Sequence, residues 1–193
     1  MIESLQRVTS IAYASNVKKS MNRKRSFDPV IDENVRLLIL GSLPGELSLA
    51  HSQYYANPQN RFWTLMAEVV EEKLTALSYP DRLQTLLRHG VGLWDVVAEA
   101  VREGSLDSRI RDHAHNDLIG LVESLPRLEA IAFNGGTAAR LGLKALGDRA
   151  NCYEIIRLPS SSPAYTLSYQ KKLDAWMAIR DWITIPTHHL KEK

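Results

Sequence analysis

Cysteine is almost missing from this chain of 193 residues, and Cys152 is the single example. One thiol excludes an internal disulfide, an iron–sulfur cluster and a cysteine-built zinc site, each of which needs several sulfur ligands. Long apolar runs are missing as well. No stretch of about 18 apolar residues occurs, so nothing is expected to span a membrane, and the N-terminus lacks the apolar core of a secretory leader. These absences point to a cytoplasmic protein with no metal, no cofactor and no membrane partner. Neither sign of charge dominates, since 24 Lys and Arg against 22 Asp and Glu leave a net charge of +2. The chain is therefore not a polycation. Internal repeats and low-complexity tracts are also lacking.

What is present suits one compact domain: 45% of the residues are hydrophobic and 24% charged, enough to build a packed core and too apolar for disorder. Residues 1–30 are set apart as a basic N-terminal extension, 31–186 as the domain and 187–193 as a polar tail, with a monomer expected. Lys18, Lys19, Arg23, Lys24 and Arg25 crowd one short segment. That segment reads either as a phosphate-contacting arm or as a solvated tail.

Along the domain, apolar runs alternate with helical periodicity. Strands are expected over residues 35–40, 91–97, 128–133 and 153–158, each stopped by glycine, proline or a polar turn. Helices are expected over 62–73 with Asn60 as cap, and over 80–88, 117–125, 137–144 and 167–182, while 102–115 reads as polar loop. Strands alternating with helices predict an α/β fold with a mainly parallel sheet covered on both faces. Ligands of such sheets bind beyond the carboxyl ends of the strands. The segments that follow the four strands are unusual: Gly41-Ser42-Leu43-Pro44-Gly45, Trp94-Asp95, Asn134-Gly135-Gly136 and Pro159-Ser160-Ser161-Ser162. Four such loops on one rim describe one site.

The residue types suggest what that site handles. Residues 54–63 hold two tyrosines, two further aromatics, two asparagines and an arginine. Aromatic faces stack on nucleobases at about 1–3 kcal/mol per base, and carboxamides can read a base edge or hold a water. Three serines between two prolines supply hydroxyls and turn N–H groups suited to phosphate oxygens.

Taken together these motifs carry a resemblance. Gly41-Ser42-Leu43-Pro44-Gly45 followed by Tyr55-Ala56-Asn57-Pro58-Gln59-Asn60-Arg61-Phe62-Trp63 resembles the first motif of the mismatch-specific uracil and thymine DNA glycosylases. Ile131-Ala132-Phe133-Asn134-Gly135 is similar to their third strand and turn, Leu158-Pro159-Ser160-Ser161-Ser162 to their DNA-inserting loop, and Gly104-Ser105-Leu106-Asp107-Ser108 also has a counterpart there. One departure decides the subfamily. Ser42 and Leu43 stand where those enzymes carry a catalytic asparagine, and the aspartate of the uracil-specific enzymes is missing too. The pattern looks like the hypoxanthine-DNA glycosylases, the sixth family of the uracil-DNA glycosylase superfamily.

The resemblance implies a three-layer α/β/α sandwich with a four-stranded, mainly parallel sheet. It implies a monofunctional glycosylase that removes a deaminated base, hypoxanthine favoured, from DNA. Asn60 becomes the catalytic candidate, with Ser42 beside it. Gly41, Leu43, Pro44, Gly45, Tyr55, Asp95 and Asn134 become the base pocket, and Ser160, Ser161, Ser162 and Tyr165 the DNA contacts. Other deaminated or mismatched bases (uracil, xanthine, thymine), and a damaged-DNA binder without catalysis, stay open at this point. Whether Asn60 positions water or supports the leaving base is also open, as is the role of Asp95 as base reader, helix cap or ion-pair partner.

Overall fold

The computed structural model describes residues 23–184. Its frame is a four-stranded parallel sheet of β2 (Leu37–Gly41), β3 (Val91–Asp95), β6 (Ala130–Asn134) and β7 (Glu154–Leu158), in the order β3-β2-β6-β7. Every neighbouring pair is parallel, with Ile39 opposite Leu93 on one side and opposite Ala132 on the other. Strands buried on both faces must be apolar throughout, and all five residues of β2 and of β6 are buried. The order reverses between β2 and β6, which opens a crevice at their carboxyl ends.

Alternate side chains of β2 go to two separate cores. Leu37 and Ile39 pack with α2 (Phe62–Val70), α3 (Tyr79–Arg88), and Trp176 at the end of α6 (Tyr169–Trp176). Leu38 and Leu40 pack with α4 (Leu118–Glu123) and α5 (Gly136–Leu146). The result is the expected three-layer α/β/α arrangement. Local chemistry sets the helix starts: Ser78, Asp117 and Ser168 cap α3, α4 and α6 by accepting from Asp81, Gly120 and Lys171 N–H groups. Glu71, at φ +58°, stops α2 in the left-handed region, so that helix ends before residue 73. The long closing helix expected over 167–182 is α-helical only to Trp176 and continues as a 3₁₀ segment, Met177–Trp182.

Other expectations are corrected. The run 91–97 is two strands, because β3 ends at Asp95 and β4 (Val97–Val101) leaves for a second sheet. The stretch 102–115, read as loop, contains β5 (Arg111–His115), whose five residues are all exposed. A solvated edge strand shows no apolar alternation to read. A short helix, α1 (Glu46–His51), lies in the loop after β2. The second sheet is completed by β1 (Arg23–Arg25), antiparallel to β4. In its described part the basic segment is an edge strand of this sheet. Arg23 and Arg25 pair with Glu99, and Lys24 Nζ donates to Glu46 at 2.9 Å and to the Gly104 carbonyl at 2.6 Å. Lys18 and Lys19 lie outside the described residues. Residues 26–30 continue along the domain, with Val30 bridging Leu93 in both directions.

One helix–sheet contact limits variation sharply. A Cβ on Gly142 of α5 would lie 2.2 Å from Cε1 of the fully buried Phe133 ring, and a ring closed in on all sides cannot give way. Gly142→Ala is expected to lower stability by about 1–3 kcal/mol, overpacking outweighing the gain in helix propensity. The check is a fall in the urea midpoint at unchanged slope.

Candidate active site

The carboxyl ends of the four parallel strands enclose a cleft of about 720 Å³, in the range of small-molecule pockets. Gly41 ends β2, Asp95 ends β3, Asn134 ends β6, and Ser160 to Ser162 follow β7; all of them line it, together with Tyr55 and Asn60. Ser42, Leu43, Pro44, Gly45 and Tyr165 do so as well. The sequence-based site residues thus come together without exception.

Asp95 forms the floor and is 3% exposed. A Cβ on Gly41 would meet Asp95 Oδ1 at 2.6 Å and the Tyr55 hydroxyl at 3.3 Å. Glycine is therefore required by close approach, and the carboxylate and the phenol meet over bare backbone. Burial pushes the Asp95 carboxyl up to about 7, and the charge of Asp107 acts the same way, against the Ser26 hydroxyl and the Arg102 guanidinium. The Ser26 Oγ lies 3.3 Å from Oδ2, and Asn116 Nδ2 donates to the Asp95 carbonyl at 2.7 Å. Asp95 caps no helix and forms no salt bridge within the described residues.

Tyr55 stands at φ +56°, a left-handed conformation that a bulky residue rarely adopts. Its ring stacks on Phe62 at a centroid distance of 3.8 Å and an interplanar angle of 13°. Phe62 is fully buried against Trp63 and Trp176, so the stack is backed by core. Burial, then the Asp95 charge, raises the Tyr55 phenol further above its ordinary range and keeps it neutral. Its oxygen accepts from Asn134 Nδ2 at 3.1 Å.

Asn60 is not the helix cap; that position falls to Arg61. Asn60 Oδ1 accepts from Phe62 N–H at 3.0 Å, one residue outside the helix. Because that N–H needs an acceptor, the contact fixes which end of the carboxamide is oxygen. The amide nitrogen is left without a protein partner among the described residues, beside the cleft. Asn134 is the opposite case. Its Nδ2 donates to Tyr55 and to Ser161 Oγ at 2.9 Å, and its Oδ1 accepts from Ser161 N at 2.8 Å. Expected to contact the base, it lines the cleft and also clamps two loops together.

The serine loop is similarly tied down. Ser161 is 1% exposed, so its hydroxyl faces inward and not toward a phosphate. Ser160 Oγ accepts from Ser162 N, Ser162 Oγ from Ala164 N, and the Ser162 carbonyl from Lys172 Nζ at 3.0 Å. Arg61 N donates to the Ser161 carbonyl at 3.0 Å and Trp176 Nε1 to the Pro159 carbonyl at 3.0 Å. Tyr165 stands at the rim, 49% exposed, with Lys172 Nζ 5.5 Å from its ring centre. Leu47 and Leu106, also exposed, line the same cleft.

Two supporting residues escaped the sequence reading of the site. Arg102, 1% exposed, donates to the carbonyls of Leu43 (3.1 Å), Pro44 and Gly104 (3.1 Å), and so latches the loop after β2 to the β4–β5 hairpin. Asp107 accepts from the Ser42 hydroxyl at 2.6 Å, and burial raises its carboxyl. Asp107 was legible only as part of the Gly104–Ser108 stretch of the resemblance. Nothing in composition marks one arginine of a polar segment as buried. Among the described residues no three His, Cys, Asp or Glu side chains cluster as metal ligands, and no helix is long and apolar enough to cross a membrane.

Comparison with known proteins agrees with this geometry. Residues 29–184 match the family model described as the uracil DNA glycosylase superfamily. A curated protein of Methanosarcina acetivorans described as a hypoxanthine DNA glycosylase is 42% identical over 158 residues, 81% of this chain and 97% of that protein. A second, of Methanosarcina barkeri and described in the same words, is 40% identical over 156 residues, 80% of this chain and 96% of that protein. The solution NMR structure of a candidate uracil DNA glycosylase from Methanosarcina acetivorans matches with a TM-score of 0.72 at 42% identity, covering 82% of this chain and 96% of the other.

The latch generates a prediction. Arg102→Met keeps much of the volume but leaves three carbonyls without their donor and Asp107 without its cationic neighbour. Stability is expected to fall by about 3–5 kcal/mol, the scale of breaking a buried charged contact. Thermal unfolding of the purified variant measures it.

Proposed function

The chain belongs to the uracil DNA glycosylase superfamily and is a DNA glycosylase, and we propose that it turns a deaminated base, hypoxanthine first, out of DNA and hydrolyses its N-glycosidic bond. The observation that carries this reading is the buried Asp95 carboxylate on the cleft floor, an acceptor set at the depth a base edge would reach. Hypoxanthine has a donor at N1 and an acceptor at O6. Ionised Asp95 accepts from N1–H, and a backbone N–H of the 41–45 loop donates to O6. Adenine has a bare N1 and an amino group instead, so both ends would be left unpaired, an effective rejection of a near-isostere. The two curated relatives are described as hypoxanthine DNA glycosylases, which supports the same choice of base.

The flipped base stacks on Tyr55, held flat from behind by Phe62. A deaminated base pairs poorly, so turning it out of the duplex costs less than for a normal pair. The fastened serine loop meets the phosphates through its turn backbone and the outer serines, Ser160 and Ser162. The exposed Tyr165 ring takes the vacated place in the stack. As C1′–N9 breaks, electrons collect on the base. Asn60, its oxygen held by Phe62 N–H, turns its amide hydrogens to that charge and so stabilises the leaving base. Among the described residues no lysine lines the cleft, which supports direct hydrolysis without a Schiff base.

Incubation with a deoxyinosine duplex is expected to release free hypoxanthine and leave a site that breaks only on alkali treatment. Single-lesion duplexes with uracil, xanthine or mismatched thymine are expected to react more slowly. Tight binding with no abasic product would instead identify a damage-binding protein. In Asn60→Ala the single-turnover rate should drop by about 10²-fold or more, the usual scale for one catalytic hydrogen bond; an unaltered rate would remove Asn60 from the chemistry. The titration of Asp95 adds a pH dependence. The carboxylate is the active form, so the rate on deoxyinosine should fall as pH drops below about 7, and Asp95→Asn should be slow and lose that limb of the profile.

A further inference from the structure

The loop after β2 contains no acid and no carboxamide, only Gly41, Ser42, Leu43, Pro44 and Gly45. Hydrolysis at C1′ still has to deprotonate a water and shelter a cationic sugar. The structure assigns that work to Asp107, delivered from the β4–β5 hairpin and held in place by Ser42; this assignment rests on the base-excision reading above. Three observations carry it. The Ser42 hydroxyl donates to Asp107 Oδ1 at 2.6 Å, and Arg102 Nη1 lies 3.8 Å from the same oxygen. Oδ2 has no protein partner among the described residues, and the side chain lines the cleft. The two cleft acids also sit at different depths: Asp95 is sealed on the floor at 3% exposure, whereas the Asp107 side chain is 36% exposed on the wall. A nucleotide that enters base first puts its base edge at the lower acid and its sugar at the upper one.

In the step itself C1′–N9 breaks and its electron pair leaves with the base. The oxygen of a water bound to Asp107 Oδ2 then bonds to C1′ of the oxocarbenium-like sugar. One proton of that water passes to Asp107, giving the C1′ hydroxyl of the abasic site. The proton is then lost to solvent or to the departed base, which restores the carboxylate. Ser42 is on this account a positioning residue. Its hydroxyl proton is already given to Asp107, so it is not a free nucleophile.

The test compares rate with binding on whichever lesion the unaltered protein cleaves. Asp107→Asn keeps an acceptor for the Ser42 hydroxyl but is no base and has no charge. Its single-turnover rate is expected to fall by about 10²-fold or more. Its affinity for a fluorescein-labelled duplex carrying the 2′-fluoro lesion analogue should stay within about threefold. A rate within about threefold of the unaltered protein overturns the assignment, and so does a parallel loss of rate and affinity, which would mark a merely structural acid. If thermal melting shows that this variant is unfolded, Ser42→Ala serves instead: about a tenfold lower rate at unchanged affinity is expected, and an unchanged rate overturns it. Failure of the unaltered protein to release any base would sink the excision reading itself, whereas release by a fully active Asp107→Asn variant sinks this assignment alone.

Discussion

A carboxyl group that cannot reach water is the constraint around which this molecule is arranged. Asp95 is pressed onto the backbone of Gly41 at the ends of two paired parallel strands, and burial lifts it from an ordinary 3.8 to about 7. Such a shift is also a statement about folding, of order 4 kcal/mol between the two protonation states. The native state binds the proton more tightly than the unfolded chain. Stability from this group is therefore fully present at low pH and is lost as pH rises through the range from about 4 to 7. The form that would accept from a base N–H is thus the form that strains the fold. Two dense cores, one on each face of the sheet, hold the strand ends in register against that strain.

Around this floor, polar contacts tie the loops to one another. Asn134 joins the end of β6 to the tyrosine loop and the serine loop. Arg102 joins the loop after β2 to the hairpin, and Ser26 brings the N-terminal segment behind the acid. Each of these side chains is largely or wholly committed to protein partners, which makes a buried polar network stabilising instead of costly. They position the pocket more than they touch what enters it. Among the described residues, the Asn60 amide nitrogen and one oxygen of Asp107 are left with spare capacity, and both side chains line the cleft.

Much of this was legible in the sequence because it follows from short-range rules. Apolar runs such as 35–40 can only be buried strands, and the polar loops that end them had to share a rim once the sheet was parallel. Tyr55, Asn60 and Asp95 were found through the resemblance of their motifs to a known family, and their convergence is a consequence of strand order. What stayed hidden depends on long-range pairing. β5 is exposed on all of its residues, so it has no pattern until β4 is placed beside it. Arg102 and Asp107 lie in that polar stretch and acquire meaning only when the hairpin folds back on the first loop. Asn134 and Ser161 were read as ligand contacts, and the hydrogen bonds that join them to each other and Asn134 to Tyr55 could not be read from the sequence. A sequence shows donors and acceptors, not which of them are already satisfied.

The two acids of the cleft explain how a loop without a carboxylate can serve a hydrolase. The charge of the wall carboxylate, Asp107, adds to burial in raising the proton affinity of the floor carboxylate, Asp95, while burial raises that of Asp107 itself. The more exposed of the two, with Ser42 and Arg102 beside it, is the easier to ionise. Under the proposed reading its charge sits where an electron-poor sugar would form, while the deeper group would address the base. Separating the two tasks by depth would let the 41–45 loop do without an acid of its own. The absence of a side chain at Gly41 is what lets Asp95 and Tyr55 come so close to that backbone, while Ser42 serves the upper acid through its hydroxyl.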